Sequence, residues 1–126
     1  MKPNILIVDD NSLVRETTRS YLVSKFPALE VNEAVDGNDA FNQIRECLPD
    51  LIMMDIRLPG ENGLKLTRKI KKLYPQIVVV IFTSYDLPEY RKAAFENGAA
   101  FFFPKSSLHN KKLIGVINAI LTDTEF

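Results

Sequence analysis

The chain has 126 residues, 46% of them hydrophobic and 25% charged, a size and balance suited to one compact soluble core. Sixteen basic side chains offset sixteen acidic ones, so no global field draws the chain to nucleic acid or to an anionic membrane. The longest apolar runs are about half a dozen residues, far short of the ~20 that cross a bilayer, and the N-terminus carries no leader pattern. One cysteine, Cys47, has no partner for an internal disulfide or a metal cluster, which fits a reducing cytoplasm.

The first apolar run, residues 4–9, is nearly continuous, as in a strand buried on both faces of a parallel sheet. A helical pattern follows, with Val14, Thr18, Tyr21 and Leu22 on one face, and Pro27 marks its end. Residues 29–35 read as the second strand, and Asp36-Gly37-Asn38 as the turn into a second helix. Cys47 reads as a small apolar contact near that helix's end, with Pro49 as the stop. Residues 50–55 form the third strand, and Pro59-Gly60 opens the loop after it. Leu66, Ile70 and Leu73 define the face of the third helix, and Pro75 precedes a fourth strand at 77–83. Pro88 suits the first turn of the fourth helix and Gly98 its end. Residues 100–104 form the fifth strand, and Ser106 or Ser107 can cap a last helix striped by Leu113, Val116, Ile117, Ile120 and Leu121. Asp123 to Phe126 read as the start of a tail. Strand starts recur roughly every 21–27 residues, enough for a crossover helix each time. The prediction is a single (βα)₅ domain over residues 1–126, a doubly wound parallel sheet with right-handed crossovers.

In such sheets ligands bind outside the carboxyl ends of the strands. Those ends carry Asp9-Asp10 after the first strand, Asp55 after the third, Thr83-Ser84 after the fourth and Lys105 after the fifth. Asp36, after the second, falls to the side if the first strand is flanked by the second and third. Like-charged carboxylates at ~4 Å repel by about 4 kcal/mol per pair at an effective dielectric of ~20. A proton or a divalent cation relieves this, and oxygen donors without His or Cys favour Mg²⁺ over zinc. Lys105 adds a compact positive charge for an anion and Thr83 a neutral donor, a set suited to phosphoryl transfer. A carboxylate can itself be the nucleophile, forming an acyl phosphate, and Asp55 sits best for this at the end of the central run.

Asp9-Asp10, Asp55 followed by Pro59 and Gly63, Thr83-Ser84, and Gly98 followed by Phe102 and Lys105 resemble the response-regulator receiver (CheY-like) domain of two-component signal transduction. The resemblance runs from Ile5 to about Leu121 and implies a flavodoxin-like α/β fold with a five-stranded sheet in the order 2-1-3-4-5. It implies Asp55 as the phosphoacceptor, served by a sensor histidine kinase or phosphotransfer protein. Asp10, Asp55 and the backbone carbonyl of Arg57 would ligate Mg²⁺, with Asp9 acting through water. Lys105 would pair with the phosphate, Thr83 would bond to it once formed, and Ser84 would keep the donor's approach open. Phe102 matches the aromatic switch, here without the hydroxyl of the tyrosine that many members carry. In the family the peptide after this lysine is often cis; before Ser106 that would be the costly non-proline kind, ~2.5–4 kcal/mol. The run from Phe103 to Ser107 is most like the subfamily with a C-terminal helix-turn-helix output domain. The implied output is a switching face of helix four, strand five and helix five that acts on an output domain or effector, transcription among the possibilities, with homodimerisation on phosphorylation.

Two other functions stay open at this level. An aspartyl-phosphate hydrolase would want a second acid two residues after the nucleophile, where this chain has Arg57. A degenerate receiver would serve only as a docking module, against which the complete acid set argues. A flavin module would need a phosphate-cradling loop where Asp9-Asp10 stand. The basic group Lys65, Arg68, Lys69, Lys71 and Lys72 reads as the wet face of the third helix.

Overall fold

The structure, a computed structural model, describes residues 2–123. Five parallel strands, β1 (Asn4–Val8), β2 (Glu30–Ala34), β3 (Leu51–Met54), β4 (Val78–Thr83) and β5 (Phe101–Pro104), form one sheet in the order β2-β1-β3-β4-β5. The helices between them are α1 (Ser12–Lys25), α2 (Gly37–Glu46), α3 (Gly63–Leu73), α4 (Pro88–Glu96) and α5 (Lys111–Asp123). Each strand lies within a residue or two of its predicted bounds, because continuous β-branched runs between prolines leave little choice.

Alternation along the buried strands builds two cores. Leu6, Val8, Ile52, Met54, Val79, Ile81 and Phe102 face α2, α3 and α4, meeting Ile44, Leu66, Ile70 and Ala94. Ile5, Ile7, Leu51, Met53, Val80, Phe82 and Phe103 face α1 and α5, meeting Leu22, Leu113 and Ile117. Burying one such side chain contributes about 1.5–3 kcal/mol, so both layers are held mainly by apolar area. Phe101 and Phe103 stack on the second face, with centroids 6.2 Å apart, while Phe102 points the other way.

Local chemistry sets the helix starts. Asn11, Asp36 and Asn62 each accept a backbone N–H from three residues on, capping α1, α2 and α3. Pro88 opens α4, and Gly98, at φ +102°, closes it in the left-handed region. Three expectations are corrected. Asn110, not Ser106 or Ser107, caps α5: its side chain accepts the Lys112 N–H at 2.7 Å, while Ser107 Oγ donates to the Pro104 carbonyl inside a 3-10 turn over Lys105–Ser107. Leu73 is 64% exposed, since α3 ends there and its stripe has run off the core. Cys47, read as a small apolar contact, is exposed, and its Sγ accepts the Asn4 Nδ2–H at 3.0 Å. Of the tail read from Asp123 onward, residues 124–126 lie outside the described residues. No cis peptide occurs among the described residues, so the Lys105–Ser106 bond is trans.

Candidate functional site

Register brings the acids together. Val8 pairs with Met54, and the Asp55 N–H reaches the Val8 carbonyl at 3.0 Å, so Asp9 and Asp55 stand side by side one step beyond the paired strands. Both are nearly sealed, at 2% and 5% exposed, whereas Asp10, next along the chain, is exposed. Thr83 pairs with Pro104 in the last rung between β4 and β5, which delivers Lys105 to the same edge. Its ammonium Nζ lies 2.6 Å from Asp9 Oδ2 and 3.0 Å from Asp55 Oδ2.

The remaining oxygens are also engaged. Asp55 Oδ1 accepts the Ile56 N–H at 2.8 Å, and Asp9 Oδ1 accepts the Asn11 N–H at 2.9 Å. Charge-assisted bonds of this kind orient a carboxylate as well as stabilise it. Burial pushes the Asp9 carboxyl above its ordinary value, against the bonds from Lys105 and the Asn11 N–H that favour the charged form. For Lys105 burial acts downward, but hydrogen bonds and charges from both carboxylates outweigh it and hold the ammonium above the usual lysine range. The asymmetry is physical: one cation serves two anions, so the lysine gains from both while Asp9 has only a share of it.

Asp9, Asp10 and Asp55 each offer a carboxylate oxygen within 4.8 Å of the others, and among the described residues this is the group that could hold a metal ion. Three oxygen donors with no His or Cys fit a hard divalent cation. Asp36 is not part of this group: its side chain accepts the Asp39 N–H and caps α2. Thr83 is fully buried at the end of β4, its Oγ1 accepting the Tyr85 N–H at 3.3 Å, and Ser84 beside it is exposed. The Arg57 side chain is exposed and carries its guanidinium 4.4 Å above the Tyr85 ring. Phe102 is inward and 4% exposed, with the Arg91 guanidinium 4.7 Å over its ring.

Contacts that no motif announced complete the site. Arg15, on α1, donates to the Asp9 carbonyl at 2.8 Å and to Glu33 on β2 at 3.0 Å. The only signal in the sequence was an arginine one turn into the helix after two aspartates, which ordinary helix surfaces also show. His109 rests edge-on against Tyr21, with ring centroids 4.4 Å apart, joining the segment before α5 to α1.

Residues 5–118 match the family model of the response regulator receiver domain. The transcriptional activator protein ExaE of Pseudomonas putida is 35% identical over 103 residues, 82% of this chain and 48% of that protein. A protein-glutamate methylesterase/protein-glutamine glutaminase of Pyrococcus abyssi is 36% identical over 108 residues, 84% of this chain and 29% of that protein. A CheY-like response regulator receiver domain protein of Methanospirillum hungatei JF-1 superimposes with a TM-score of 0.84 at 27% identity, covering 99% of this chain and 98% of that one. The chain spans about half or less of the length of the first two relatives. With the strand order, the acid edge and this match in agreement, the chain belongs to the response-regulator receiver domains of two-component signal transduction.

Proposed function

We propose that Asp55 is the phosphoacceptor, taking a phosphoryl group from a phosphohistidine of a partner sensor histidine kinase or phosphotransfer protein. The observation that carries this reading is the bridging ammonium of Lys105, 3.0 Å from Asp55 and 2.6 Å from Asp9 at the ligand-binding edge of the sheet. An Asp55 oxygen bonds to phosphorus as the donor's P–N bond breaks and the imidazole leaves, giving an acyl phosphate. The Ile56 N–H and Lys105 orient the carboxylate before the donor arrives. Lys105 follows the charge onto the phosphoryl oxygens, Thr83 donates its hydroxyl to them, and Ser84 leaves the approach open. Asp10, Asp55 and the Arg57 backbone carbonyl, with Asp9 through water, would hold Mg²⁺, which neutralises phosphoryl charge when bound.

The added group brings up to about two negative charges. Thr83 moves toward them, and Phe102 repacks in the space this leaves, changing the face of α4, β5 and α5. That face acts on an output domain or effector protein, with transcription among the outputs, and homodimerisation accompanies phosphorylation. Residues 1–126 act as a single receiver unit in the cytoplasm, without direct contact with nucleic acid or membrane. The domain assists its own phosphorylation and dephosphorylation and is not a turnover enzyme. A hydrolase would need a proton donor at position 57, and the Arg57 guanidinium, packed on Tyr85, is not one.

The test is intact mass measurement after incubation with acetyl phosphate and Mg²⁺. One phosphoryl group on the protein and none on Asp55→Asn is the expected result. Equal labelling of the variant at this site would overturn the assignment.

A further inference from the structure

The three carboxylates are not held in the same way. Asp9 and Asp55 are buried and tied to Lys105, but Asp10 is exposed, and among the described residues its side chain has no hydrogen bond or ion pair. Where the Asp10 carboxylate stands is therefore decided by the backbone of the β1–α1 turn. That turn is anchored at two atoms of Asp9: Oδ1 accepts the Asn11 N–H at 2.9 Å, and the main-chain oxygen accepts the Arg15 guanidinium at 2.8 Å. The second anchor belongs to the peptide plane that joins Asp9 to Asp10, so holding it fixes the plane from which Asp10 departs.

Arg15 is itself held. Its Nε donates to Glu33 Oε1 at 3.0 Å, and Arg19 reaches Glu33 Oε2 at 3.2 Å. The Arg15 side chain is 15% exposed, so it is a braced strut and not a free surface arginine. The rigid planar fork lets one guanidinium serve a carboxylate and a carbonyl together, which a lysine ammonium cannot do in the same geometry. We propose that Arg15, braced by Glu33, is a positioning residue for the cation site: it acts through the Asp9 carbonyl to hold the Asp10 carboxylate in register with Asp9 and Asp55. This rests on the reading of the acid edge as a Mg²⁺ site.

Charge alone predicts the opposite behaviour, which makes the assignment sharp. A guanidinium close to a cation site repels the cation, so removing it should tighten Mg²⁺ binding if Arg15 were only a charge. If it positions the turn, removing it should weaken binding, as partners behind metal ligands commonly do by about 10–100-fold. Mg²⁺ affinity is read from backbone amide chemical shifts and from the rise in melting temperature with added Mg²⁺. Arg15→Gln is expected to weaken binding at least about 10-fold, Arg15→Lys to fall between it and the unsubstituted protein, and Asn11 amide exchange to quicken in metal-free Arg15→Gln. Should Arg15→Gln fail to fold, Glu33→Gln with Arg15→Lys replaces it, and the combined loss is expected to exceed that of Arg15→Lys alone. Binding that Arg15→Gln leaves equal or tighter overturns the assignment while the cation site stands. No Mg²⁺ binding by the unsubstituted protein overturns the cation site, and this proposal with it.

Discussion

Gly63 and Asp55 stand backbone against backbone. The Gly63 N–H donates to the Ile56 carbonyl at 2.7 Å, and a Cβ on Gly63 would lie 1.8 Å from the Asp55 carbonyl oxygen and 3.0 Å from Met54 Cγ. The start of α3 is thus pressed onto the strand end that carries Asp55, and only a residue without a side chain permits it.

Gly63→Ala should therefore cost about 3 kcal/mol or more, because the obstructing atom is main chain and cannot rotate away. It should also lower labelling at Asp55, whose peptide must move. Gly115, exposed in α5 with nothing near a Cβ, is the matched control: Gly115→Ala should stabilise by about 0.5–1 kcal/mol. Urea unfolding of both variants checks this, and equal effects would sink the close-contact argument.

Among the described residues Lys105 is the one cation paired with the two buried carboxylates. Lys105→Met leaves Asp9 and Asp55 uncompensated, and stripping one partner from a buried pair costs about 3–5 kcal/mol. Added Mg²⁺ should recover part of that loss, since a divalent cation relieves the same repulsion. Unfolding with chelator and with Mg²⁺ gives the comparison. A loss below about 1 kcal/mol with chelator would mean that the pair is not what holds this edge.

Asp9 makes a pH prediction. Its folded pKa is raised, first by burial, so the folded state holds the proton more tightly than the unfolded chain does. Its contribution to stability is therefore full below the unfolded value and is lost as pH rises through the folded one. Above that raised value the charged Asp9 is a net cost to the metal-free protein. Asp9→Asn should raise the melting temperature by a few degrees at pH 7, with the gain shrinking toward pH 4. Lys105 has the companion behaviour: its stabilisation is intact below its ordinary value and declines only as pH climbs through the still higher folded one. Melting curves from pH 4 to pH 7 with chelator decide it; a gain that grows toward acid pH would contradict the sign.

The architecture was legible because apolar continuity and proline punctuation are local. The runs ending at Val8, Met54 and Thr83 cannot satisfy their burial except between helices, and Pro27, Pro49 and Pro75 stop the helices where the strands must begin. The misreadings were also local. Ser107 has the chemistry of a cap, yet the 3-10 turn after β5 turned its hydroxyl back to Pro104 and left Asn110 to cap α5. Leu73 fits its stripe, but the helix ends before a neighbour covers it.

By itself the sequence determined the strand and helix order, the residue types at each strand end and a gathering of acids whose repulsion a proton or a cation must relieve, since these follow from periodicity and charge. Only the tertiary structure decided that Asp9 and Asp55 share the ammonium of Lys105 and that Arg15 grips the Asp9 carbonyl. It also decided that Gly63 is the residue that lets α3 close on Asp55. Such contacts join residues from near opposite ends of the chain, Asp9 and Lys105 among them. Strand register and helix docking set their distances, and no local preference in the chain encodes either.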